Sequence, residues 1–125
     1  MNVPANLLFT KDHEWIKIEG SEALIGITDY AQSELGEIVY VELPKTGDSV
    51  AMEGTFGTVE AVKAVSDLFM PVSGEVIEIN PVLEDKPELI NEDPYGEGWM
   101  IRIKVNNVAE LSHLLTPEAY TQLIQ

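Results

Sequence analysis

Lys63 is the side chain whose type and setting point most directly to chemistry. It is the only basic residue between Lys45 and Lys86, and one Ala-Val pair precedes it while another follows it. An exposed amine with small apolar neighbours and no competing lysine nearby is accessible to a modifying enzyme. Exposed lysines are common on protein surfaces, so isolation alone makes covalent modification only a hypothesis.

The other reactive side chains form no recognisable catalytic or metal site. The sequence has no cysteine, so thiol or disulfide chemistry requires an imported group. His13 and His113 are the only histidines, and they lack the short spacing of metal ligands. No nucleophile-elbow motif surrounds Ser66 and Asp67, and residues 54–57 are not followed by the Gly-Lys-Ser/Thr of a phosphate loop. We therefore predict no catalytic residues and no metal site.

The composition predicts one folded, acidic domain spanning residues 1–125. Hydrophobic residues make up 45% of the chain and charged residues 23%, which is typical of a globular protein. The 22 acidic side chains outnumber the 7 basic ones and give a net charge of −15. Such a surface repels nucleic acid and anionic lipid, and it suits partners with basic faces. The first residues lack the features of a signal peptide, and we expect a cytoplasmic protein.

Short stretches rich in Val and Ile, separated by Gly, Pro and Asp, predict a mainly β protein. The expected strands lie at 14–19, 23–28, 37–43, 56–62, 65–70, 75–79 and 99–105. We expect Trp15 and Trp99 to be core aromatics rather than ligand platforms.

Three segments have helical character. Residues 29–35 follow a candidate N-cap, Thr28, and precede the stop residue Gly36, which predicts one or two helical turns. Near the end of the chain, residues 108–115 follow Asn107, and the Thr-Pro pair at 116–117 opens a second helix. We expect these two short helices to cover one edge of the β core.

A faint internal repeat links residues 36–41, GEIVYV, with residues 74–79, GEVIEI. Each copy is followed by a proline, either Pro44 or Pro81. Two similar β units packed together would produce this pattern, but Gly-Glu followed by β-branched residues is also a common strand start. Between the two copies, residues 59–65 contain no Gly, Asn or Pro, so turn rules predict no hairpin at Lys63 and a helix is an equally fair local prediction.

Blocks of sequence along nearly the whole chain resemble the glycine cleavage H-protein family. The matching blocks are HEW at 13–15, GITDYAQ at 26–32, GEIVYVELP at 36–44, FGTVE at 56–60, VKA at 62–64, SDL at 66–68, PVSGEV at 71–76 and NEDPYGEGWM at 91–100. Two positions depart from the family pattern: Ala61 stands where Ser is frequent, and Glu34 where some members have His.

The resemblance implies a lipoyl-domain-like β sandwich, a barrel-sandwich hybrid, with Lys63 at the tip of a β hairpin. In the family this lysine forms an amide with lipoic acid, which supplies the sulfur chemistry that a chain without cysteine lacks. The implied role is that of a non-catalytic carrier of the aminomethyl group of glycine. The implied partners are glycine decarboxylase, aminomethyltransferase, dihydrolipoyl dehydrogenase and a lipoate-attaching enzyme.

The resemblance also implies a cleft that receives the loaded arm. Glu14 and Asp67 match segments that line this cleft in the family, and Asp12 is a weaker candidate. Carboxylates at these positions would pair with the cationic amine of the aminomethyl group.

Three alternatives stay open at the level of sequence. A biotin carrier has a related fold, but its lysine is usually flanked by methionines, whereas Lys63 has Val62 and Ala64 as neighbours. A lipoyl relay that donates its cofactor to other complexes would keep the attachment and change its use. An unmodified acidic interaction module would not need Lys63 at all.

Overall fold

The computed structural model describes residues 1–125 and is dominated by short antiparallel strands. The strands are β1 (Leu8–Phe9), β2 (Glu14–Glu19), β3 (Glu22–Ile27), β4 (Ile38–Glu42), β5 (Ser49–Val50), β6 (Thr55–Ala61), β7 (Val65–Phe69), β8 (Gly74–Ile79) and β9 (Ile101–Val105). The helices are α1 (Asp29–Leu35), α2 (Val82–Asp85), α3 (Leu89–Glu92) and α4 (Pro117–Leu123), with a 3-10 helix at Val108–His113.

The strands form two sheets that share one apolar core. The larger sheet has the order β1-β2-β3-β9-β8-β5, and the smaller has the order β4-β6-β7. Alternation along β9 shows how the sequence builds this arrangement: Ile101 and Ile103 are fully buried, whereas Arg102 and Lys104 lie on the outer face. The cluster of 18 buried residues draws on both sheets, which confirms the predicted mainly β sandwich.

All seven predicted strands are present, and their observed bounds differ from the predicted ones by at most two residues. Four elements were not predicted. The strands β1 and β5 have two residues each, which is too short to show a period-two pattern. The helices α2 and α3 have four residues each and begin without a side-chain cap, so neither carries a start signal.

Helix α1 has the predicted bounds and the predicted caps. The Thr28 side chain accepts a hydrogen bond from the Ala31 amide at 3.1 Å, which satisfies one of the free amides of the first turn. Gly36 ends the helix with φ of 82°, a backbone conformation that residues with a β-carbon rarely adopt.

The short helix predicted at 108–115 is present, but it is two residues shorter than predicted. The segment is a 3-10 helix that ends at His113, because Leu115 is held in an extended conformation by paired backbone hydrogen bonds of 2.9 and 2.7 Å with Phe9. The following helix α4 begins at the predicted Thr-Pro pair, with Thr116 as its cap. Its buried Tyr120 stacks on Phe9 with ring centroids 4.7 Å apart, so the end of the chain covers the β1 edge as predicted.

The two copies of the internal repeat share a backbone irregularity as well as a sequence. β4 has a register shift between Ile38 and Tyr40, and β8 has one between Val76 and Glu78, at the matching positions of the repeat. Each shift places an additional residue in its strand, as in a β-bulge. The two strands lie in different sheets, so the likeness supports the interpretation of two similar β units packed on each other.

A second, smaller core lies beneath the β1 edge and contains Trp15 and Tyr120. Trp15 is 1% exposed, and its indole N–H donates to the Pro94 carbonyl oxygen at 2.9 Å. Trp99 is half-buried and packs against the same cluster, so both tryptophans have the structural role that we predicted. None of the helices has the length and apolar character needed to cross a membrane.

Candidate functional site

Lys63 lies at the tip of the β6–β7 hairpin, and residues 62–64 are called the hairpin tip below. The Ala61 amide donates to the Ala64 carbonyl at 2.7 Å, and the ladder begins at the Glu60–Val65 pair. The Val62 amide donates to the Glu37 carbonyl at 3.1 Å, which ties the tip to the start of β4. The local prediction of no hairpin at Lys63 was therefore wrong, because the register between the three strands determines this turn rather than turn-forming residues.

The Lys63 side chain crosses over a glycine and projects from an exposed tip. A β-carbon added at Gly36 would lie 3.3 Å from Lys63 Cε and 3.9 Å from Nζ, so glycine leaves room for the lysine chain. The neighbouring Val62 and Val65 are 72% and 68% exposed. None of the ion pairs in the structure involves Lys63. The structure thus presents an accessible amine on a hydrogen-bonded hairpin.

Asn91 connects the segments that support the hairpin tip. Its amide group donates to the Gly36 carbonyl at 2.8 Å and to Gln32 Oε1 at 3.0 Å, while its Oδ1 accepts from the Ile38 amide at 2.9 Å. The end of α1 and the start of β4 are therefore fixed relative to each other. Sequence reasoning assigned no role to Asn91, although the residue lies within one of the matching blocks.

A cavity of about 280 Å³ lies between the β1–β2 turn and the segment that leads into α4. We call this cavity the cleft. Its lining residues are Thr10, Lys11, Asp12, Glu14, Met52, Glu53, Met70, Pro71, His113, Leu114 and Leu115. Of the three carboxylates that the resemblance suggested, Glu14 and Asp12 line the cleft. Asp67 does not: it is exposed on β7, two residues before Phe69 and on the same face of that strand.

Glu14 is a buried acid at the floor of the cleft. Its side chain is 2% exposed, and it accepts hydrogen bonds from Thr10 Oγ1 at 2.6 Å and from the Phe69 amide at 3.4 Å. Burial raises the pKa of Glu14 to about 8, against the lowering effect of these two hydrogen bonds. The carboxyl group therefore holds a proton near neutral pH, and a cation that entered the cleft would favour its ionised form.

The backbone of residues 10–14, called the 10–14 turn below, fixes the direction of Glu14. The Thr10 amide donates to the Glu14 carbonyl at 3.0 Å, and the His13 amide donates to the Thr10 carbonyl at 3.1 Å. Thr10 Oγ1 also accepts from the amides of Asp12 and Glu14, each at 3.2 Å. His13 has φ of 69°, in the left-handed region that non-glycine residues occupy only at a cost.

Most residues of the cleft were not predicted from the sequence. The missed ones are Thr10, Lys11, Met52, Glu53, Met70, Pro71, His113, Leu114 and Leu115. They come from segments far apart in the chain, so no local pattern marks them as members of one site. Glu53 is the other non-glycine residue with a left-handed backbone, at φ of 69°, and it also lies on the cleft.

The two departures from the family pattern lie outside the cleft. Ala61 is 5% exposed and pairs with Ile38, so its methyl group belongs to the core. Glu34 is exposed on α1, where its charge acts on His13 and Tyr30. Neither residue contacts the amine of Lys63 through a hydrogen bond or ion pair in this structure.

The fold and the site define a two-sheet β sandwich that presents one exposed lysine at the tip of its β6–β7 hairpin. Comparison with known proteins gives the family. The sequence model described as Glycine cleavage H-protein matches residues 7–125. A glycine cleavage system H protein of Bacteroides fragilis is 53% identical over 124 residues, which cover 99% of this chain and 98% of that protein. One of Magnetococcus marinus is 54% identical over 125 residues, covering 100% and 89%.

A solved structure agrees with the sequence comparisons. The crystal structure of a glycine cleavage system H protein from Mycobacterium marinum superposes with a TM-score of 0.85 at 37% identity, covering 96% of this chain and 97% of that one. The chain belongs to the glycine cleavage H-protein family.

Proposed function

We propose that Lys63 carries a lipoyl group in amide linkage and that the cleft around Glu14 receives the loaded arm. The carrier role of an H protein follows from membership of the family. The observation that supports Lys63 is its position: it is exposed at the tip of the β6–β7 hairpin, and the glycine beneath it leaves room for its side chain. We further propose that residues 1–125 act as one lipoyl-carrier domain, since both sheets share a single apolar cluster.

The residues of the chain suit the group that the family implies. A bound lipoyl group would supply the dithiolane that carries the aminomethyl group of glycine. The hairpin tip would hold its anchor at a fixed place, and tethering would raise its concentration at each partner's active site. β7 begins two residues after Lys63 and spans roughly 13 Å from Val65 to Phe69 at the usual rise of a strand. Met70, which follows it, lines the cleft, so an arm that extends along this strand would run toward the cleft.

Glu14 is the residue that we expect to recognise the cationic amine of the load. Its buried carboxyl group holds a proton near neutral pH because burial disfavours the ionised form. A cation bound beside it would stabilise the carboxylate and favour loss of that proton. A charge-assisted hydrogen bond in a cavity with few water molecules is stronger than one at the surface. Asp12 lines the same cleft and adds negative charge, whereas we assign Asp67 to the path along β7 and not to the cleft itself.

We propose the partners and the location that follow from this role. The partners are glycine decarboxylase, aminomethyltransferase, dihydrolipoyl dehydrogenase and a lipoate-attaching enzyme, with no nucleic acid and no membrane among them. The net charge of −15 favours partners with basic docking faces. We assign no catalytic residue to the chain, which would act as a carrier only. Location in the cytoplasm remains a prediction of the sequence.

Mass spectrometry tests the attachment directly. The full chain is produced in cells supplied with lipoate, as wild type, as Lys63→Arg and as Lys86→Arg, and each form is analysed by intact mass and peptide mapping. Lys86 is an exposed lysine that lies outside the β6–β7 hairpin and serves as the matched control. We expect a lipoyl mass increment on the Lys63 peptide in wild type and in the control, and complete loss of the increment in Lys63→Arg.

Two results would overturn the proposal. One is an unmodified Lys63 in cells where a known lipoyl domain is fully modified. The other is a biotin increment in place of the lipoyl one, which would support a biotin carrier. In a reconstituted glycine decarboxylation assay, Lys63→Arg should lower the rate to the level without carrier, while Lys86→Arg should match wild type.

A further inference from the structure

The buried hydroxyl group of Tyr120 links Thr28 to His13 by hydrogen bonds, and His13 lies between two residues that line the cleft, Asp12 and Glu14. Tyr120 is 0% exposed, and its hydroxyl oxygen is 2.9 Å from His13 Nδ1 and 2.7 Å from Thr28 Oγ1. Its ring is already held by Phe9, with the planes 8° from parallel. A phenylalanine would fill the same space, so the hydroxyl group does something that packing does not require.

The directions of these hydrogen bonds form a consistent set. Thr28 Oγ1 accepts from the Ala31 amide at the start of α1, which leaves its own proton for the Tyr120 oxygen. Tyr120 then donates its proton to Nδ1 of a neutral His13. Burial lowers the pKa of His13 and outweighs the opposing charges of Asp12 and Glu34, so the neutral imidazole is the form present near neutral pH.

His13 is the point at which this chain of hydrogen bonds acts on the cleft. Its backbone has the left-handed φ of 69°, and its carbonyl oxygen accepts from the Thr28 amide at 3.0 Å. Both its side chain and its backbone are thus tied to the same threonine, directly or through Tyr120. Residues in strained conformations persist only where the surroundings determine them. Here the surroundings are Tyr120, Thr28 and the ring of Tyr30, whose centroid lies 4.8 Å from that of the imidazole.

We propose that Tyr120 is a positioning residue for the cleft: through His13 it holds the 10–14 turn in the conformation that directs the Glu14 carboxyl group toward the Phe69 amide. Tyr120 does not line the cleft and contacts no bound group. The C-terminal helix therefore acts on arm docking from a distance. This inference rests on the proposed function of the cleft, but it concerns residues of the chain alone.

The Phe69 amide provides a readout of Glu14 in the full, unmodified chain. This amide donates to Glu14, so its chemical shift in an ¹H–¹⁵N spectrum follows the ionisation of that carboxyl group. Asp12, Lys11, Glu53 and His113 also face the cleft, but they are present in every variant, so differences between variants report on Glu14. In wild type we expect a titration midpoint near 8, well above that of an ordinary glutamate.

Tyr120→Phe removes only the hydroxyl group and should loosen the 10–14 turn, which lets water reach Glu14. We expect the Phe69 midpoint to fall by about one pH unit. Tyr95→Phe is the matched control: the Tyr95 hydroxyl accepts from the Asp29 amide at 3.0 Å and donates to the Asn2 carbonyl at 2.7 Å, so it supports the same helix without contacting His13. The control should leave the midpoint at its wild-type value.

A second variant tests whether the effect passes through His13. Glycine adopts a left-handed backbone without a steric cost and has no side chain to accept a hydrogen bond from Tyr120, so His13→Gly should shift the midpoint as Tyr120→Phe does. The double variant should shift it no further than the larger single change. Additive shifts, or a Tyr120→Phe midpoint equal to that of wild type, would overturn the inference. His13→Gly decides the question even if Tyr120→Phe fails to fold, and the result is independent of whether Lys63 is lipoylated.

Discussion

The hairpin tip and the 10–14 turn are two turns of similar size that are built in opposite ways. The tip projects exposed side chains, and its visible restraints are backbone hydrogen bonds such as that from Val62 to Glu37. The 10–14 turn encloses a buried acid and combines backbone bonds with side-chain bonds from Thr10, His13 and Tyr120. An attachment site must be accessible to several partners, whereas a docking site must exclude water, and the two turns differ accordingly.

The largest predicted effect comes from the buried acid. Because the pKa of Glu14 is raised from 4.5 to about 8 in the folded state, the folded protein holds a proton that the unfolded chain has released. Stability of the wild type should therefore fall as pH rises from about 5 to about 8. Glu14→Gln removes this dependence, and the variant should gain roughly 3 kcal/mol relative to wild type across that window.

Urea unfolding at a series of pH values measures this difference. Glu60→Gln is the matched control, since Glu60 is exposed next to the hairpin tip and its replacement should change the free energy of unfolding by less than about 0.5 kcal/mol. Parallel pH curves for wild type and Glu14→Gln would mean that Glu14 is ionised in the folded protein. Burial would then not keep the Glu14 carboxyl group protonated.

A smaller effect is expected in the smaller of the two cores, where Trp15 follows the 10–14 turn directly. A β-carbon on Gly26 would lie 2.7 Å from the indole nitrogen of Trp15 and 2.8 Å from two of its ring carbons. The ring cannot move freely, because its N–H is bonded to Pro94. Gly26→Ala should therefore lower the free energy of unfolding by about 2 kcal/mol, and a loss below about 0.5 kcal/mol would show that the indole has room to shift. Urea unfolding of wild type and Gly26→Ala, followed by tryptophan fluorescence, measures this loss.

The strands were predictable because their signal is local. β9 alternates buried and more exposed side chains within a few residues, and this pattern is visible in the sequence. The short strands and the 3-10 helix depend instead on partners far along the chain. Leu115 ends the 3-10 segment by pairing with Phe9, and no pattern near Leu115 indicates that partner.

The candidate site was predictable only in part, for the same reason. Composition singled out Lys63, but the hairpin that presents it contains none of the usual turn residues, so resemblance rather than local pattern predicted the turn. The three-stranded sheet imposes it through the pairing of Ile38 with Ala61 and of Glu60 with Val65. The cleft is more difficult to predict from sequence, because its lining residues come from distant segments and none of these segments has a local pattern that indicates a cavity.

The smallest predicted effect lies directly beside the hairpin tip, at the first residue of β7. Val65 is 68% exposed and pairs with the exposed Glu60, so replacing one of its methyl groups by a hydroxyl group removes little buried apolar area. Threonine keeps the β-branched shape that strands favour. Val65→Thr should therefore change the free energy of unfolding by less than about 0.5 kcal/mol in urea titration. A loss as large as that expected for Gly26→Ala would show that the tip is packed more tightly than its exposure indicates. The hairpin tip would then be held by side-chain packing, as the 10–14 turn is, and the contrast between the two turns would be lost.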